Sequence, residues 1–193
     1  MMVILLSLFL GTTLAAVAGL RAFLPLFLIG VLERAELLSP FSIGDTFQWL
    51  TSDIAILTFG IATVMEVTAD KVPGMDSVMD TVMTFVRPGA GAVSVFAVLS
   101  SQDPTLAYVA GFVLAAGASL PIHLGKGMLR LGSHVGTGGM GSPLLSTAED
   151  ATSAGVITLS VLAPFMAVLF GVSSIVFVAW IVSKLRRRGR AAT

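Results

Sequence analysis

Cysteine is absent from this chain and charge is scarce, with only 11% of its 193 residues Asp, Glu, Lys or Arg. Without a thiol there is no disulfide, iron–sulfur cluster, haem thiolate or zinc–thiolate site. Only His123 and His134 could offer ring nitrogen to a metal. Any metal would therefore be held by oxygen, which favours hard cations such as Mg2+, Ca2+ or Mn2+. The formal net charge is +0, so the basic surface that nucleic acid rewards is missing too. A soluble domain carries about 25% charged residues. Here 55% of the residues are hydrophobic and the mean hydropathy is +0.97. Too little polar surface remains to coat a water-soluble globule, and the composition is that of an all-α, polytopic protein of the lipid bilayer.

What is present is a series of long apolar stretches, at about 2–32, 53–69, 77–100, 105–124 and 152–184. A spanning helix needs about 20 mostly apolar residues. The first and last stretches are too long for one simple span, and each holds a proline, Pro25 or Pro164, that breaks or kinks a helix. The opening MMVILLSLFLGTTLAAVAGL resembles a signal peptide but has no basic start, and apolar character resumes after Arg21. It is read as retained.

Charge sets the expected topology. The run Lys184-Leu-Arg-Arg-Arg-Gly-Arg190 is the dense basic cluster and belongs in the cytoplasm. With 152–184 as two helices there are about six spans, and both termini are cytoplasmic. Loop 33–52 and the turn Gln102-Asp103-Pro104 then lie outside, and Lys71, Lys126 and Arg130 lie inside. The expected architecture is one transmembrane domain over 1–193, with halves 1–101 and 104–185 and a basic tail at 186–193. Three spans per half would form a 3+3 inverted repeat, common among transporters. Paired prolines hint at it: Pro25 and Pro121 fall late in the first span of each half, and Pro73 and Pro164 end the second.

A charge at the middle of a membrane helix costs about 2.5–3.5 kcal/mol, so such residues need partners and point to function. Glu66 and Asp70 are four apart and share a helical face. Beyond Lys71 and the Pro73-Gly74 break, Asp76, Asp80 and Arg87 fall within about 40° of one another at 100° per residue. A solvated turn with Asp76 as a helix cap explains Asp76 well and Asp70 tolerably. It does not explain Glu66 or Asp80, which stand among apolar neighbours. His123, Lys126, Arg130 and His134 form a second stripe. Snorkelling to lipid phosphate is the plain account of Lys126 and Arg130, whereas His123 lies deeper, two residues after Pro121. The glycines of Gly136-Thr-Gly-Gly-Met-Gly-Ser-Pro143 could form an anion nest. Ser146 or Thr147, followed by Glu149 and Asp150, reads as a helix cap with acids in the first turn. Arg21 interrupts a stretch free of other charge and needs a carboxylate, with Glu66 or Asp80 as the natural partners.

Four motifs in order carry a resemblance over about residues 10–180. They are Gly19-Leu-Arg-Ala…Pro25, Glu66-x3-Asp-Lys-x-Pro-Gly-x-Asp-x3-Asp80…Arg87-Pro88, His123-x2-Lys-x3-Arg130, and Gly-Gly-x-Gly-x-Pro143…Ser-x2-Glu-Asp150. Together they resemble domain of unknown function 4126, a family of small bacterial membrane proteins. Ser142 stands where that pattern has Asn. The resemblance implies a bacterial inner-membrane location and supplies no activity.

The favoured expectation is a small transporter or channel-like carrier of an ion or a small polar or anionic solute, working without a cofactor. Its site would draw on Arg21, Glu66, Asp70, Lys71, Asp76, Asp80, Arg87, His123, Lys126, Arg130, Glu149 and Asp150. No loop is long enough for a separate catalytic domain, and no activated nucleophile is present. The alternatives are an enzyme acting on a lipid or polyprenyl phosphate, with Asp76 and Asp80 holding a divalent metal, and a structural or assembly factor. Self-association as a homo-oligomer is left open.

Overall fold

The computed structural model describes residues 1–71, 75–137 and 141–191, without the side chains of 75–80, 131, 134, 135, 137, 142, 165, 181 and 185–191. Among the described residues eight α-helices follow one another: α1 (Met2–Ala18), α2 (Phe23–Arg34), α3 (Asp53–Ala69), α4 (Met75–Ser100), α5 (Pro104–Leu114), α6 (Leu120–Thr137), α7 (Ser142–Leu162) and α8 (Pro164–Ala191). A 3-10 turn, Asp45–Thr51, precedes α3, and a π turn, Ala115–Ser119, joins α5 to α6. No strand occurs among the described residues.

Proline explains most of the breaks. A proline ring clashes with the carbonyl four residues back and leaves it without a donor. For Pro25 that carbonyl belongs to Arg21, so α1 ends upstream and Pro25 sits in the first turn of α2, where it is tolerated. The expected long first span is therefore two helices. Before Pro164, Ala163 takes φ −130° and ψ 87° and ends α7, as the residue ahead of a proline prefers. The long run 152–184 is accordingly split there, although α7 already starts at Ser142. Pro121 is accommodated differently, by the wider π turn just before it. Elsewhere side chains cap the starts: Ser52 accepts from the Ala55 amide at 3.2 Å and Asp103 from the Leu106 amide at 2.9 Å.

The direction of each helix follows from its close contacts. A Cβ on Gly11 would lie 3.3 Å from Val95, and one on Gly91 would lie 3.5 Å from Ala15 and Ala18, so α1 and α4 are antiparallel. Gly171 meets Phe9, and Phe177 shares a cavity with Val17 and Leu20, so α1 and α8 run parallel. α2 lies antiparallel to α3, with Ala22 beside Glu66 and Arg34 paired to Asp53. The first apolar stretch is thus a hairpin. It enters along α1, turns at Gly19–Ala22, and leaves along α2.

Among the described residues three helical stretches are long and apolar enough to cross a membrane: Thr81–Ser100, Pro104–Arg130 and Met166–Lys184. The pair Asp45–Thr51 and Asp53–Ala69, bent by 65°, makes a fourth if it is one span. The expected six spans are not reached on this criterion: the first apolar stretch is divided into α1 of 17 residues and α2 of 12, short of the about 20 a crossing needs, and α7, although 21 residues long, is not among the stretches apolar enough.

Candidate functional site

The turn between α1 and α2 lowers Arg21 into a fully buried position. There it pairs with Asp70, which ends α3, and its other nitrogens reach α7. One donates to the Ser146 hydroxyl at 2.8 Å, and Nε lies 2.6 Å from Asp150 Oδ1. From α6, Lys126 Nζ approaches Asp70 Oδ2 at 2.9 Å and Glu149 at 3.1 Å, and Arg130 approaches the same two at 2.8 and 3.3 Å. Three cations therefore converge on one carboxylate oxygen. The other, Asp70 Oδ1, is buried and has no hydrogen-bond partner among the described residues. Burial opposes the charge on Asp70, but the Arg130 hydrogen bond and the charges of Lys126 and Arg21 outweigh it, holding the carboxyl well below the usual carboxylate range. Lys71 joins at the more exposed rim, 3.1 Å from Asp150.

A second group lies one helical turn deeper. Glu66 accepts from the Ala22 amide at 3.1 Å and from Arg87 at 3.3 Å. It thereby supplies an anion to the start of α2, where unsatisfied amides and the helix dipole favour one. Arg87 also donates to His123 Nδ1, so that nitrogen carries no proton, and Nε2 faces the Thr84 hydroxyl at 3.0 Å. Three elements contribute to both groups at neighbouring positions: Arg21 and Ala22, Glu66 and Asp70, His123 and Lys126. The i, i+3 and i, i+4 spacings of α6 and α3 stack the two groups about 5 Å apart along the helices.

Ten of the twelve expected residues are brought into this assembly: Arg21, Glu66, Asp70, Lys71, Arg87, His123, Lys126, Arg130, Glu149 and Asp150. Asp76 and Asp80 lie on α4 with side chains outside the described residues, as does that of His134. The metal site expected of those two aspartates lies there too. Among the described residues no group of three or more His, Asp or Glu is placed to hold a metal.

Several expected pairings need correction. Arg21 meets Asp70 and α7 rather than Glu66, which goes to Arg87, because the α1–α2 turn points Arg21 at the end of α3 instead of along its length. Lys126 and Arg130 do not snorkel; they are 2% and 4% exposed. Ser146 and Glu149 do not cap a helix. α7 begins at Ser142, so both lie inside it and face Arg21 and Arg130. The glycine run splits between the end of α6, the undescribed 138–140 and the start of α7.

Three features were missed. Thr84 joins the His123 group, and nothing in an isolated threonine announces that. A cavity of about 530 Å³ opens between α6, α7 and α8, lined by Ile122, Leu129, Phe177 and Trp180 together with Lys126 and Glu149. The Ser146 contact with Arg21 was missed as well, although the i, i+3 spacing of Ser146 and Glu149 is a signal that could have found it.

The family model described as Domain of unknown function (DUF4126) matches residues 8–184. No curated protein and no solved structure matches the chain.

Proposed function

We propose, for a chain that belongs to the DUF4126 family, whose description names no activity, a small membrane carrier of an ion or a small polar or anionic solute. One observation carries the reading. Lys126 and Glu149 belong to the buried ion-pair cluster and also line the cavity between α6, α7 and α8. A charge cluster that served only to lock helices together would be sealed on all sides. Here a solute reaching the cavity meets an ion pair it can exchange for its own charge. Asp70 Oδ1, without a hydrogen-bond partner among the described residues, offers a neighbouring acceptor for a hydrogen-bond donor or a cation.

The orientation that accompanies this proposal keeps the basic end of α8 in the cytoplasm of a bacterial inner membrane. Because α1 runs parallel to α8, the N-terminus then lies on the opposite face, in place of the cytoplasmic N-terminus expected from the sequence. A strict inverted repeat has little support, since its first half would open with a hairpin that the second half lacks.

Purified protein in sealed vesicles, with a pH-sensitive dye inside and a proton gradient imposed, tests the carrier. Proton movement should depend on adding a solute from a panel of small carboxylates, phosphate and monovalent cations. It should fall to the protein-free rate in Glu149→Gln. Silence across the panel would sink the carrier and favour a structural role. Titration with Mg2+ or Mn2+ separates the metal-enzyme alternative, because a bound ion must raise the thermal midpoint of the protein that holds it.

A further inference from the structure

The cavity beside the charge cluster continues into a groove longer than the carrier reading needs. A second cavity, of about 220 Å³, shares Leu20, Ile122 and Phe177 with the larger one. The residues that α8 gives to the two are Phe170, Ser173, Ser174, Phe177, Trp180 and Lys184. Their spacing is i, i+3, i+4, i+7, i+10, i+14, one continuous stripe of a helix. At 1.5 Å per residue that stripe is about 21 Å long. One leaflet with its headgroup layer is half of about 40–45 Å, which is the same length.

The ends of the stripe differ in chemistry. From Phe170 to Trp180 the walls are mostly apolar, with the hydroxyls of Thr152, Ser153, Ser173 and Ser174 at the deeper end, and the Phe177 and Trp180 rings stack at 6.1 Å between centroids. At the other end Lys184 stands over Trp180, 4.7 Å from the ring centre, with no carboxylate partner among the described residues. The inner wall holds Lys126 and Glu149, which neutralise each other at 3.1 Å. The remaining charge of the groove is thus one cation at its end, continued in sequence by Arg186, Arg187, Arg188 and Arg190. Basic residues at the end of a span attract anionic headgroups.

We infer that this groove is a binding site for one anionic phospholipid, its acyl chain lying along α8 between α6 and α7 and its headgroup at Lys184. The inference shares that cavity with the carrier reading but rests on Lys184, outside the buried cluster, and its test reads lipid preference, which can fail while transport stands. A bound lipid would complete the packing of α8, whose window Met166–Lys184 is only 12% buried within the protein.

Trp180 is a built-in reporter, and Trp49→Phe leaves it as the sole tryptophan. That variant is placed in phosphatidylcholine vesicles containing a minor fraction of lipid brominated in its acyl chain. Brominated phosphatidylglycerol should quench Trp180 about fivefold more per molecule than brominated phosphatidylcholine, the enrichment that one lysine-scale attraction gives. Lys184→Gln should bring the two towards equality. Gly125→Leu, which puts a side chain into the groove wall, should reduce quenching by the anionic lipid while leaving that by the zwitterionic one. Equal quenching by the two lipids in the parent would overturn the site. So would a preference that survives both substitutions, which would belong to the basic tail alone. Preference for a free brominated fatty acid, without one for phosphatidylglycerol, would replace the phospholipid by a single-chain acid and so overturn it as well.

Discussion

Asp70 gathers Arg21, Lys126 and Arg130 on one oxygen, so its removal leaves three buried cations with less than their complement of anions. Breaking a buried pair from one side costs about 3–5 kcal/mol. Asp70→Asn is expected to lower the thermal midpoint sharply in detergent, and adding Lys126→Met should recover part of the loss. An unchanged midpoint would mean that Glu149 and Asp150 suffice for the cations. Acid has a related effect. The folded carboxyl titrates below its ordinary value of 3.8, so its stabilisation is complete above about pH 4 and disappears as pH falls towards the folded value. Glu66 behaves differently, because it serves both Arg87 and the first amides of α2. Glu66→Gln keeps an acceptor for those amides and should insert at near-normal abundance while the solute-dependent proton movement proposed above is lost. Glu66→Ala should reduce abundance, and Arg87→Met, rather than neutralising Arg21, should be the change that restores it. For His123 the telling replacement is Phe, which removes the acceptor facing Arg87. Hydrogen bonds to charged groups contribute about 1.5–3 kcal/mol, and thermal unfolding should register a loss of that order.

Close approach between elements depends on particular glycines. A Cβ on Gly19 would lie 2.4 Å from the carbonyl oxygen of Ser119 in the π turn. The α1–α2 turn can reach that point because residue 19 has no side chain, and the approach helps bring Arg21 to the level of Lys126. Gly117, in the same π turn, has nothing within 4 Å of its would-be Cβ. Gly19→Val should therefore destabilise by at least the about 1–3 kcal/mol typical of overpacking, whereas Gly117→Ala should be near neutral. Equal effects at both positions, measured by thermal unfolding, would remove this account of the turn.

For the molecule as a whole, the proposed orientation combined with the hairpin of α1 and α2 predicts a sidedness different from that expected of the sequence. Reporter proteins fused after residue 193 or inserted near 138 should read as cytoplasmic. Reporters at the N-terminus or near residue 42 should read as extracytoplasmic. A cytoplasmic signal from the N-terminus, with the other three as expected, would contradict the parallel arrangement of α1 and α8. Opposite signals from 138 and 193 would mean that α7 and α8 do not form a hairpin.

Composition together with the long unbroken apolar runs determined that the chain is helical, because backbone polar groups in lipid are satisfied only within helices or closed barrels, and barrel strands would alternate apolar and polar residues. Helix ends at Ala69, Ser100 and Pro104 were legible as well, from the Asp70-Lys71 and Gln102-Asp103-Pro104 turns. So were ten members of the charge cluster, since every buried ion in an apolar chain must find another; Asp76 and Asp80 have side chains outside the described residues. The pairings were not legible. Which carboxylate meets Arg21 depends on where the chain reverses between α1 and α2. That reversal is decided jointly by Pro25, the clearance at Gly19 and the carboxylate of Glu66 at the first amides of α2. Periodicity on one helix places Lys126 and Arg130 on a common face, but not whether that face meets lipid or Asp70. Only the packing of α6 against α3 and α7 decided that, because burial is a property of neighbours that a single stretch of sequence does not contain.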